Sequence, residues 1–471
     1  MAQARAAAAL NTARVQVVAP PRISATMIAA LHARGIDAGS SELPTGTDLV
    51  AHAFDSTPMP AAVVELAAAA ARAASTGRPL CVLVPPQRAS GPAAIERAAA
   101  LSLLRCHGAV ITSDVDAWLE AIVMLVRFGL PRGPRAAVVA PPGSWLEAQT
   151  LALIAEAEAA GTRPPQLATG RTADATDVVA FDPALGAPPA NMPGLHVPVA
   201  GRGELGEGEA TLYGMRGALA AIELLGLAAQ RIAVGLGPAP PEERKELAID
   251  DKRSERQLAK LAPGTRVGDH ETKVILAAYG VPITRQAVAI TPSAAVRAAR
   301  RAGYPVELKP WGHDLPTEPA GCPLERNVSS DALVRRGFNA VLAAAGKAPN
   351  DPDSAVIVRE PPPVGRELGV QMMRLPSVGW TVVLEIPGAS QASAYPAPLR
   401  LADASAMAAA MVATRAADPE PDRAGLANLL RRASYIVTDL DARIVRVDLP
   451  RVVVGGRGDR TVVVDAWCEL A

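Results

Sequence analysis

Short runs rich in apolar residues recur through the first half of the chain, and each is followed by a longer stretch with helical spacing. The runs at Val15–Val18, Ala137–Val139 and Val178–Ala180 contain almost no polar residues, which suits strands that are covered on both faces of a parallel sheet. Helices are predicted between such runs, at 25–34, 60–75, 92–105, 115–127, 145–160 and 211–226. This alternation of strands and helices favours doubly wound α/β sheets.

An internal repeat supports two related units. Both Arg14–Gly35 and Arg135–Gly161 contain the pentapeptide Val-Val-Ala-Pro-Pro, followed by a predicted helix that ends near a glycine. A third predicted strand, Cys81–Pro86, also ends in Pro-Pro. Self-similarity of this kind indicates that the first half contains two related α/β units.

The second half opens with a different pattern, at residues 271–310. A short helix is predicted to end at Gly280, where a left-handed residue lets a helix stop, and Pro282 prevents it from continuing. An alanine-rich helix follows, and then the strand Val306–Lys309, which ends in a single cation. A lysine at the end of an apolar strand is either a surface residue or a ligand of an anion. Residues 237–268, rich in proline and charge, are interpreted as a linker or an irregular crossing segment.

Composition narrows the function classes. The 47 basic and 47 acidic residues leave no net charge, which argues against nucleic acid as the main partner. The four cysteines lie far apart and form no Cys-x-x-Cys pair, so neither a structural zinc site nor a disulfide framework is expected. The alanine-rich stretch at 61–75 is interrupted by polar residues and falls short of a membrane span. A soluble, cytoplasmic protein is therefore expected.

The stretch 271–310 resembles the opening of the ATP-grasp domain in ADP-forming acyl-CoA synthetases, the relatives of acetate–CoA ligase and succinyl-CoA ligase. In that family a Glu-x-x-Lys-x-Leu-Leu-x-x-Tyr-Gly-Ile-Pro run precedes a Gly-Tyr-Pro-Val-x-Leu-Lys strand. The resemblance implies an α/β protein with two flavodoxin-like, doubly wound domains at 1–130 and 131–245 and an ATP-grasp domain at 246–471. It also implies that Lys309 contacts the nucleotide.

The same resemblance draws attention to a phosphorylated histidine that this chain does not clearly retain. Family members cradle the phosphohistidine between helix N-termini, whereas here the two corresponding turns carry Pro20–Pro21 and Pro141–Pro142, which lack backbone donors. The family's histidine loop is about ten residues longer than the segment found here. His107 is the remaining candidate, but it is predicted at the end of a helix, where a histidine more often complements the helix dipole.

A glycine motif at Gly201–Gly206 matches Gly-x-Gly-x-x-Gly, but it is followed by further acidic and glycine residues rather than by a helix. We interpret it as a solvated loop. The family's CoA-binding Rossmann domain is accordingly not expected in this sequence, so CoA would be bound only through a partner. The chain is expected to assemble with a partner subunit or to form a homo-oligomer.

Several residues of the nucleotide half match positions that the family uses for ATP. The resemblance implies nucleotide-binding roles for Glu318 and Gly321 in a loop after Lys309, for Glu360 at the hinge, and for Glu367 and Arg374 on the strands that follow. The phosphate loop has fewer glycines than the family pattern, which limits how closely its backbone can approach a phosphate.

The C-terminal stretch is predicted to form a hairpin around a Gly-Gly-Arg-Gly turn. The family's magnesium ligands would fall at Val445 and Leu449 if the chains are aligned on Pro450, so two oxygen ligands are lost. Asp465 matches a family position. Asp448 is one residue out of register, and we expect it to face the opposite side of the strand. ATP and Mg²⁺ are the cofactors that the resemblance implies.

Three functions remain open at this point. The chain could be an acid–thiol ligase subunit that uses ATP and CoA together with a partner. It could be a catalytically inactive structural or regulatory subunit derived from that family. It could also be an ATP-grasp ligase that joins a carboxylic acid to an amine without a phosphohistidine.

Overall fold

A computed structural model of the chain contains two compact units. The first comprises Met1–Ala89 and Ala100–Gly237, and the second comprises Ser90–Ala99 and Pro238–Ala471. The structure describes residues 14–40, 49–86, 91–160, 165–168, 176–186, 188, 192–201, 211–313, 315, 321–349, 351, 353–388, 392–409 and 420–471.

The first parallel sheet has five strands in the order β2-β1-β3-β4-β5, which is the flavodoxin-like order. The valine-rich runs pair in parallel because helices cover both faces of the sheet. Its elements are β1 (Val15–Val18), α1 (Pro21–His32), β2 (Ala38–Gly39), β3 (Leu49–Ala53), α2 (Pro60–Glu65), α3 (Ala67–Ser75), β4 (Cys81–Leu83), α4 (Pro92–Cys106), β5 (Val110–Thr112) and α5 (Val115–Arg127).

The second sheet repeats this arrangement, with the order β10-β9-β8-β6-β7. Counted from its own first strand, the order is again 2-1-3-4-5, as the repeated pentapeptide predicts. Its elements are β6 (Ala136–Val139), α6 (Trp145–Ala160), β7 (Gln166–Ala168), β8 (Val178–Phe181), β9 (Leu195–Ala200), β10 (Leu212–Tyr213) and α7 (Met215–Val234).

Helices α5 and α7 pack against each other and contribute to one hydrophobic core that both sheets of the first unit share. Trp118 and Leu225 are both fully buried in this core. Gly226 is required for the packing, because a Cβ atom at this position would lie 2.3 Å from the nitrogen of Pro134. By length and composition α7 could cross a membrane; its buried residues, however, form part of this core.

The second unit begins with structure in the segment that was interpreted as a linker. Residues 241–245 form helix α8 (Pro241–Lys245), and residues 251–258 form helix α9 (Asp251–Leu258). Leu247 and Leu258 are buried in the main core of the unit. The linker interpretation is wrong because a few well-spaced leucines anchor an otherwise polar segment.

A four-stranded sheet, which we call the small sheet, carries the predicted Lys309 strand. Its order is β12-β15-β13-β14, and all its pairs are antiparallel. Two helices bury its apolar face with Phe338 and Val296. The elements are β12 (Gln286–Ala289), α11 (Pro292–Ala302), β13 (Val306–Pro310), β14 (Glu325–Val328), α12 (Asp331–Ala344) and β15 (Val356–Arg359), and they follow α10 (Asp269–Ala278), which ends before Gly280 with φ +70° as predicted.

The large sheet of this unit has six antiparallel strands in the order β11-β20-β19-β16-β17-β18. One face packs on α10 and on two C-terminal helices through the main core. The predicted hairpin is present as β19 and β20. The elements are β11 (Arg266–Val267), β16 (Arg366–Leu375), β17 (Gly379–Glu385), β18 (Ser393–Pro396), α13 (Leu401–Ala409), α14 (Arg423–Asp439), β19 (Ile444–Val454) and β20 (Thr461–Leu470).

Residues 91–99 belong to the second unit, although they precede it in sequence and come from the stretch in which the family carries its histidine loop. Ala99 is buried in a small cluster with Leu375 and Val383 of the large sheet. Glu96 Oε1 accepts hydrogen bonds from the nitrogen and the hydroxyl of Ser377, at 3.1 and 2.7 Å. This stretch is therefore held in place by both apolar and polar contacts.

Together these sheets confirm the predicted fold class: two parallel α/β sheets with flavodoxin-like strand order, followed by a domain of two antiparallel sheets.

Candidate nucleotide site

Lys309 lies where the small sheet meets the large sheet. Glu307 and Lys309 are two residues apart in β13, so their side chains lie on the same face of the small sheet. This face points at β20 rather than at solvent. The ammonium Nζ lies 2.8 Å from Oδ1 of Asp465 and 3.0 Å from Oδ2 of Asp269, and all three side chains are buried. Lys309 and Asp465, both predicted from the family resemblance and 156 residues apart in sequence, are therefore in direct contact.

Asp269 was not singled out by the sequence, yet it is the best-connected carboxylate of the site. It is the first residue of α10, where the helix dipole favours a negative charge. Its Oδ1 accepts a hydrogen bond from the nitrogen of Ala466 at 3.0 Å and lies 3.1 Å from Nζ of Lys273, one turn later. Asp269 thus connects α10 to both sheets.

Lys273 is also fully buried, and it has four acceptors. Its Nζ donates to Thr284 at 3.1 Å, to Gln286 at 3.0 Å and to the carbonyl of Val464 at 2.7 Å, in addition to Asp269. The Val464 carbonyl is free for this contact because the register of β19 and β20 skips Val464 at a bulge.

A second buried pair adjoins these residues. Glu307 and Arg359 lie directly opposite each other on β13 and β15, and Arg359 donates to Glu307 Oε2 through Nε at 3.0 Å and through an Nη at 2.6 Å. Arg359 also donates to the Val464 carbonyl at 3.0 Å. We call the whole group, three cations and three anions, the Lys309 cluster: Asp269, Lys273, Glu307, Lys309, Arg359 and Asp465.

The two carboxylates that contact Lys309 differ in the direction in which their pKa values are shifted. Burial would raise the pKa of Asp269, but the ammonium groups of Lys273 and Lys309 lower it below the usual range for an aspartate. Burial raises the pKa of Asp465, and the attraction of Lys309 offsets this only in part. Asp269 is therefore the more acidic of the two carboxyl groups.

The cations differ in the same way. Burial lowers the pKa of Lys273 to about 8. Burial would also lower the pKa of Lys309, but its two carboxylate partners raise it above the usual range. Lys309 is thus charged at neutral pH, as a phosphate ligand must be.

Little space remains beside Lys309. The adjoining cavity measures about 20 Å³, which is room for roughly one water molecule. Arg266, His313, Cys322 and Trp467 line it together with the charged residues. A triphosphate therefore enters this site only if the two sheets move apart.

The predicted hinge residue Glu360 is tied to two arginines. Its Oε2 lies 2.7 Å from Nε of Arg285, and its Oε1 lies 3.0 Å from an Nη of Arg460. Burial would raise its pKa, but hydrogen bonds from Arg285 and Arg460 lower it. Glu360 directly follows β15, so it lies on the sheet that carries Lys309.

Two other predicted nucleotide ligands lie on the large sheet with partners of their own. Glu367 accepts hydrogen bonds from Arg451 at 3.1 and 2.7 Å. Arg374 is exposed, contacts Asp441, and stacks 5.3 Å above the ring of Trp380. The structure brings neither residue into the Lys309 cluster.

Asp448 faces the side of β19 opposite to Leu449, as expected from its register, and this side is the one that carries Asp465. It lies opposite Trp467, and directly opposite residues of an antiparallel pair share a face, so Asp448 is on the face that carries Asp465, whereas Leu449 is buried in the core. A bulge between Asp448 and Arg451 sets this register. Asp448 nevertheless pairs with Arg446 at 2.6 Å rather than with Asp465.

The remaining predicted residues contribute less. Gly321 adopts φ +78°, as a phosphate-loop glycine can, whereas Glu318 lies outside the described residues. His107 follows α4 in the first unit, and its Nδ1 contacts the carbonyl of Leu103 at 2.8 Å. Among the residues that the structure describes, no three His, Cys, Asp or Glu side chains form a group that could hold a metal ion.

Comparison with known proteins finds a domain model and relatives that match the second half of the chain. Residues 259–470 match a model of the ATP-grasp domain. The chain is 25% identical over 218 residues to the beta subunit of ADP-forming acetate–CoA ligase II from Pyrococcus furiosus, which spans 44% of this chain and 92% of that subunit. It is 30% identical over 119 residues to the beta subunit of ligase I from the same organism, spanning 25% of this chain and 51% of that subunit.

One solved structure that is similar to part of this chain has been described. It is the dinucleotide-forming acetyl-coenzyme A synthetase 1 of Candidatus Korarchaeum cryptofilum in complex with coenzyme A, Ca-AMPCP and HgCl⁺. That protein is 25% identical to this chain, with a TM-score of 0.38, and the match covers 44% of this chain and 94% of that one.

Proposed function

Residues 259–470 are an ATP-grasp domain homologous to the beta subunits of ADP-forming acetate–CoA ligases, and from this premise we propose that the chain is a divergent acid–thiol ligase subunit of the acyl-CoA synthetase type. In this proposal it has three parts, 1–130, 131–245 and 246–471. It binds ATP and Mg²⁺ in the third part, and it works in the cytoplasm with a partner subunit that supplies the CoA site; self-association into a homo-oligomer is the alternative assembly.

The contact between Lys309 and Asp465 is the observation that carries this proposal. A phosphate-binding cation and a metal-binding carboxylate must approach the same triphosphate from opposite sides. Here they come from two different sheets and meet at 2.8 Å. Placing charges in a protein interior is costly, so their burial at this junction favours a shared ligand over a chance surface pair.

The residues of the site can offer Mg²⁺ one carboxylate ligand, which is compatible with Mg²⁺ that is bound to a nucleotide. Mg²⁺ bound to a nucleotide commonly takes only one or two protein carboxylates and completes its shell with phosphates and water. Asp465 is the residue that would hold it, since it already contacts a cation. Bound Mg²⁺ would neutralise charge on the phosphate oxygens. Lys309 would bind and orient a phosphate.

An assay of ADP release tests the proposed ligase activity. The protein is incubated with MgATP, CoA and a panel of short carboxylic acids, alone and with candidate partner subunits. ADP release that requires both acid and CoA is expected only with a partner. ADP release without CoA, and with an amine instead, would point to the other ATP-grasp chemistry.

A catalytically inactive subunit is the second candidate, and the closed site favours it. Arg451 and Arg446 neutralise Glu367 and Asp448, and the cavity beside Lys309 holds about 20 Å³. This candidate predicts that the purified protein stabilises or regulates its partner while substitution of Lys309 leaves the partner's turnover unchanged. The ligase proposal predicts that the same substitution abolishes turnover.

A further inference from the structure

We propose that Arg266 is a further ligand-binding residue, whose guanidinium takes an oxyanion at the cavity beside Lys309. The oxyanion is either a phosphate of the nucleotide or the carboxylate of the acid, since both present the pair of oxygens that an arginine fork recognises. The inference rests on the proposed nucleotide function and extends it to a residue that neither the sequence patterns nor the family resemblance singled out.

The Arg266 side chain lacks the partners that a partly buried guanidinium normally has. Its Nε is buried without a hydrogen-bond partner, and within the described part of the chain no carboxylate or carbonyl oxygen pairs with the rest of the group. Lys309, which lines the same cavity, contacts two carboxylates. Because buried polar groups are almost always hydrogen-bonded, an exception needs an explanation. A binding site for ligand oxygens supplies one.

The direction of the Arg266 side chain points to the same conclusion. Arg266 lies directly opposite Glu469 in the antiparallel ladder of β11 and β20, so the two side chains share a face. The guanidinium nevertheless makes no ion pair with this exposed carboxylate. It lies over the ring of Trp467 instead, 4.6 Å from the ring centroid, and lines the cavity beside Lys309. Stacking on the ring leaves the N–H edge of the planar group available for an acceptor.

Arg446 provides an internal comparison, because it stacks on the same ring, 5.4 Å from the centroid of Trp467. Its Nε donates to Asp448 at 2.8 Å, and an Nη donates to Gln371 at 3.1 Å. Arg446 is therefore fixed by acceptors from the protein. Of the two arginines on this ring, Arg266 is the one whose donors are available to a ligand.

The charge balance of the site favours an anion. The Lys309 cluster contains three cations and three anions, and Asp448 is balanced by Arg446. Arg266 adds one positive charge to the lining of the cavity, with no carboxylate in contact with it among the described residues. It reaches the cavity from the large sheet, whereas Lys309 reaches it from the small sheet. An oxyanion bound there could accept hydrogen bonds from both.

The backbone beside Arg266 is held in place. β11 pairs with β20, and the nitrogen of Gly268 donates to Nδ1 of His313 at 3.1 Å. A Cβ atom at Gly268 would lie 2.4 Å from the carbonyl oxygen of Gly312, so the chain approaches the small sheet too closely there for a larger residue. A cation on a backbone fixed in this way can bind a ligand with little loss of conformational entropy.

Calorimetric titration with the magnesium complex of the non-hydrolysable ATP analogue AMPPNP tests whether the oxyanion is a phosphate. Arg266→Met should bind at least about tenfold more weakly than wild type, through the loss of a charge-assisted hydrogen bond. Arg266→Lys keeps the charge without the planar fork, so its affinity should lie between the two. Arg446→Met removes the other arginine on Trp467 and should bind as wild type does.

Titration with acetate tests whether the oxyanion is a carboxylate. The indole N–H signal of Trp467 in NMR spectra, identified by its loss in Trp467→Phe, reports on the group stacked on the ring. With protein saturated with MgAMPPNP, a carboxylate ligand should make acetate shift this signal in wild type and in Arg446→Met, but not in Arg266→Met.

A loss of MgAMPPNP affinity confined to the Arg266 variants assigns the phosphate, and an acetate response that requires Arg266 assigns the carboxylate. Circular dichroism and thermal melting check that each variant is folded, and Arg266→Lys decides the matter if Arg266→Met does not fold. A purely structural role for Arg266 would lower the melting temperature without changing the affinity of the folded fraction.

Two further outcomes separate the proposals. If wild type binds MgAMPPNP, and neither this binding nor the acetate response differs between the Arg266 and Arg446 variants, Arg266 only packs on Trp467, and its assignment is overturned while the nucleotide function stands. If wild type binds no MgAMPPNP, the proposed nucleotide function fails, and the assignment of Arg266 fails with it.

Discussion

Each unit contains a buried pair of opposite charges, and the two pairs differ in what else they contact. In the first unit Arg34 binds Glu120 through two hydrogen bonds of 2.5 and 3.1 Å and donates to the Thr211 carbonyl at 2.7 Å. Glu120 accepts from the Tyr213 nitrogen at 3.0 Å, and Arg34 stacks on the Tyr213 ring. The other hydrogen bonds of this pair are made with backbone groups, whose positions are fixed by the fold.

Lys309 in the second unit has no such backbone acceptor among the contacts that the structure describes. Its partners are the carboxylates of Asp269 and Asp465, and carboxylates can be exchanged for phosphate oxygens. The comparison teaches that burial alone does not separate a structural ion pair from a binding site. A cation that also donates to a backbone carbonyl, as Arg34 does, stabilises the fold, whereas a cation held by carboxylates, as Lys309 is, can be transferred to a ligand.

The largest effect is expected at the pair in the first unit. Arg34→Met leaves Glu120 buried without its cation, so the free energy of unfolding of this unit should fall by about 3–5 kcal/mol. Urea-dependent hydrogen exchange of α5 and α7 measures this loss. The matched control is Arg14→Met, which removes an exposed pair with Asp37 and should cost at most about 1 kcal/mol. Equal losses of unfolding free energy in Arg34→Met and Arg14→Met would contradict the expected difference between the buried and the exposed ion pair.

A smaller effect is expected from the pair in the second unit, through a double-mutant cycle. Lys309→Met and Asp465→Leu should each destabilise the ligand-free second unit. The free energy of unfolding should fall less in the double variant than the sum of the two single losses, by about 1–3 kcal/mol. The reason is that each single substitution leaves one buried charge without its partner. Hydrogen exchange of α10 and β20 gives the unfolding free energies. Simple additivity would show that the two side chains do not interact in the ligand-free protein.

Lys273 should make stability depend on pH in the alkaline range. Burial lowers its folded-state pKa to about 8 from 10.5. Between these values the unfolded chain binds more protons at this side chain than the folded chain, so its contribution to stability rises with pH. Over pH 8 to 9.5 the rise should be on the order of 1–2 kcal/mol. Urea denaturation at several pH values should show this rise relative to Lys273→Met. Parallel pH profiles for the two proteins would contradict it.

The smallest expected effect concerns His107. Incubation of the isolated protein with radiolabelled ATP should give no stable phosphohistidine, because the segment before His107 is expected to be too short for the family's histidine loop and because His107 Nδ1 contacts a helix carbonyl. His107→Asn should label to the same background level. Acid-labile label on His107 that disappears in this variant would show that the residue has taken over the family's role.

The sequence predicted some parts of the site because they follow short-range rules. Lys309 was found as a single cation at the end of an apolar strand, and Gly280 as the residue that ends a helix. The parallel sheets followed from valine-rich runs and from the repeated pentapeptide. Each of these signals needs only a few neighbouring residues.

Other parts could not be predicted, because they depend on contacts between distant strands. Asp269 and Lys273 form an acid–lysine pair four residues apart, a spacing that usually indicates an exposed helix face, and only the position of β20 buries them. The orientation of Asp448 depends on a bulge in β19, which no local pattern marked. Glu307 did leave a signal, since it alternates with Lys309 on the same face of its strand.

The most direct test of the central claim is the affinity of MgATP for three proteins, measured by calorimetry: wild type, Lys309→Met and Lys260→Met. Lys260 is exposed after α9 and provides the matched loss of one positive charge. The account predicts that wild type and Lys260→Met bind MgATP equally well, while Lys309→Met binds at least about tenfold more weakly, through the loss of a charge-assisted hydrogen bond. Equal binding by all three folded proteins would show that Lys309 is not the phosphate ligand and would contradict the account.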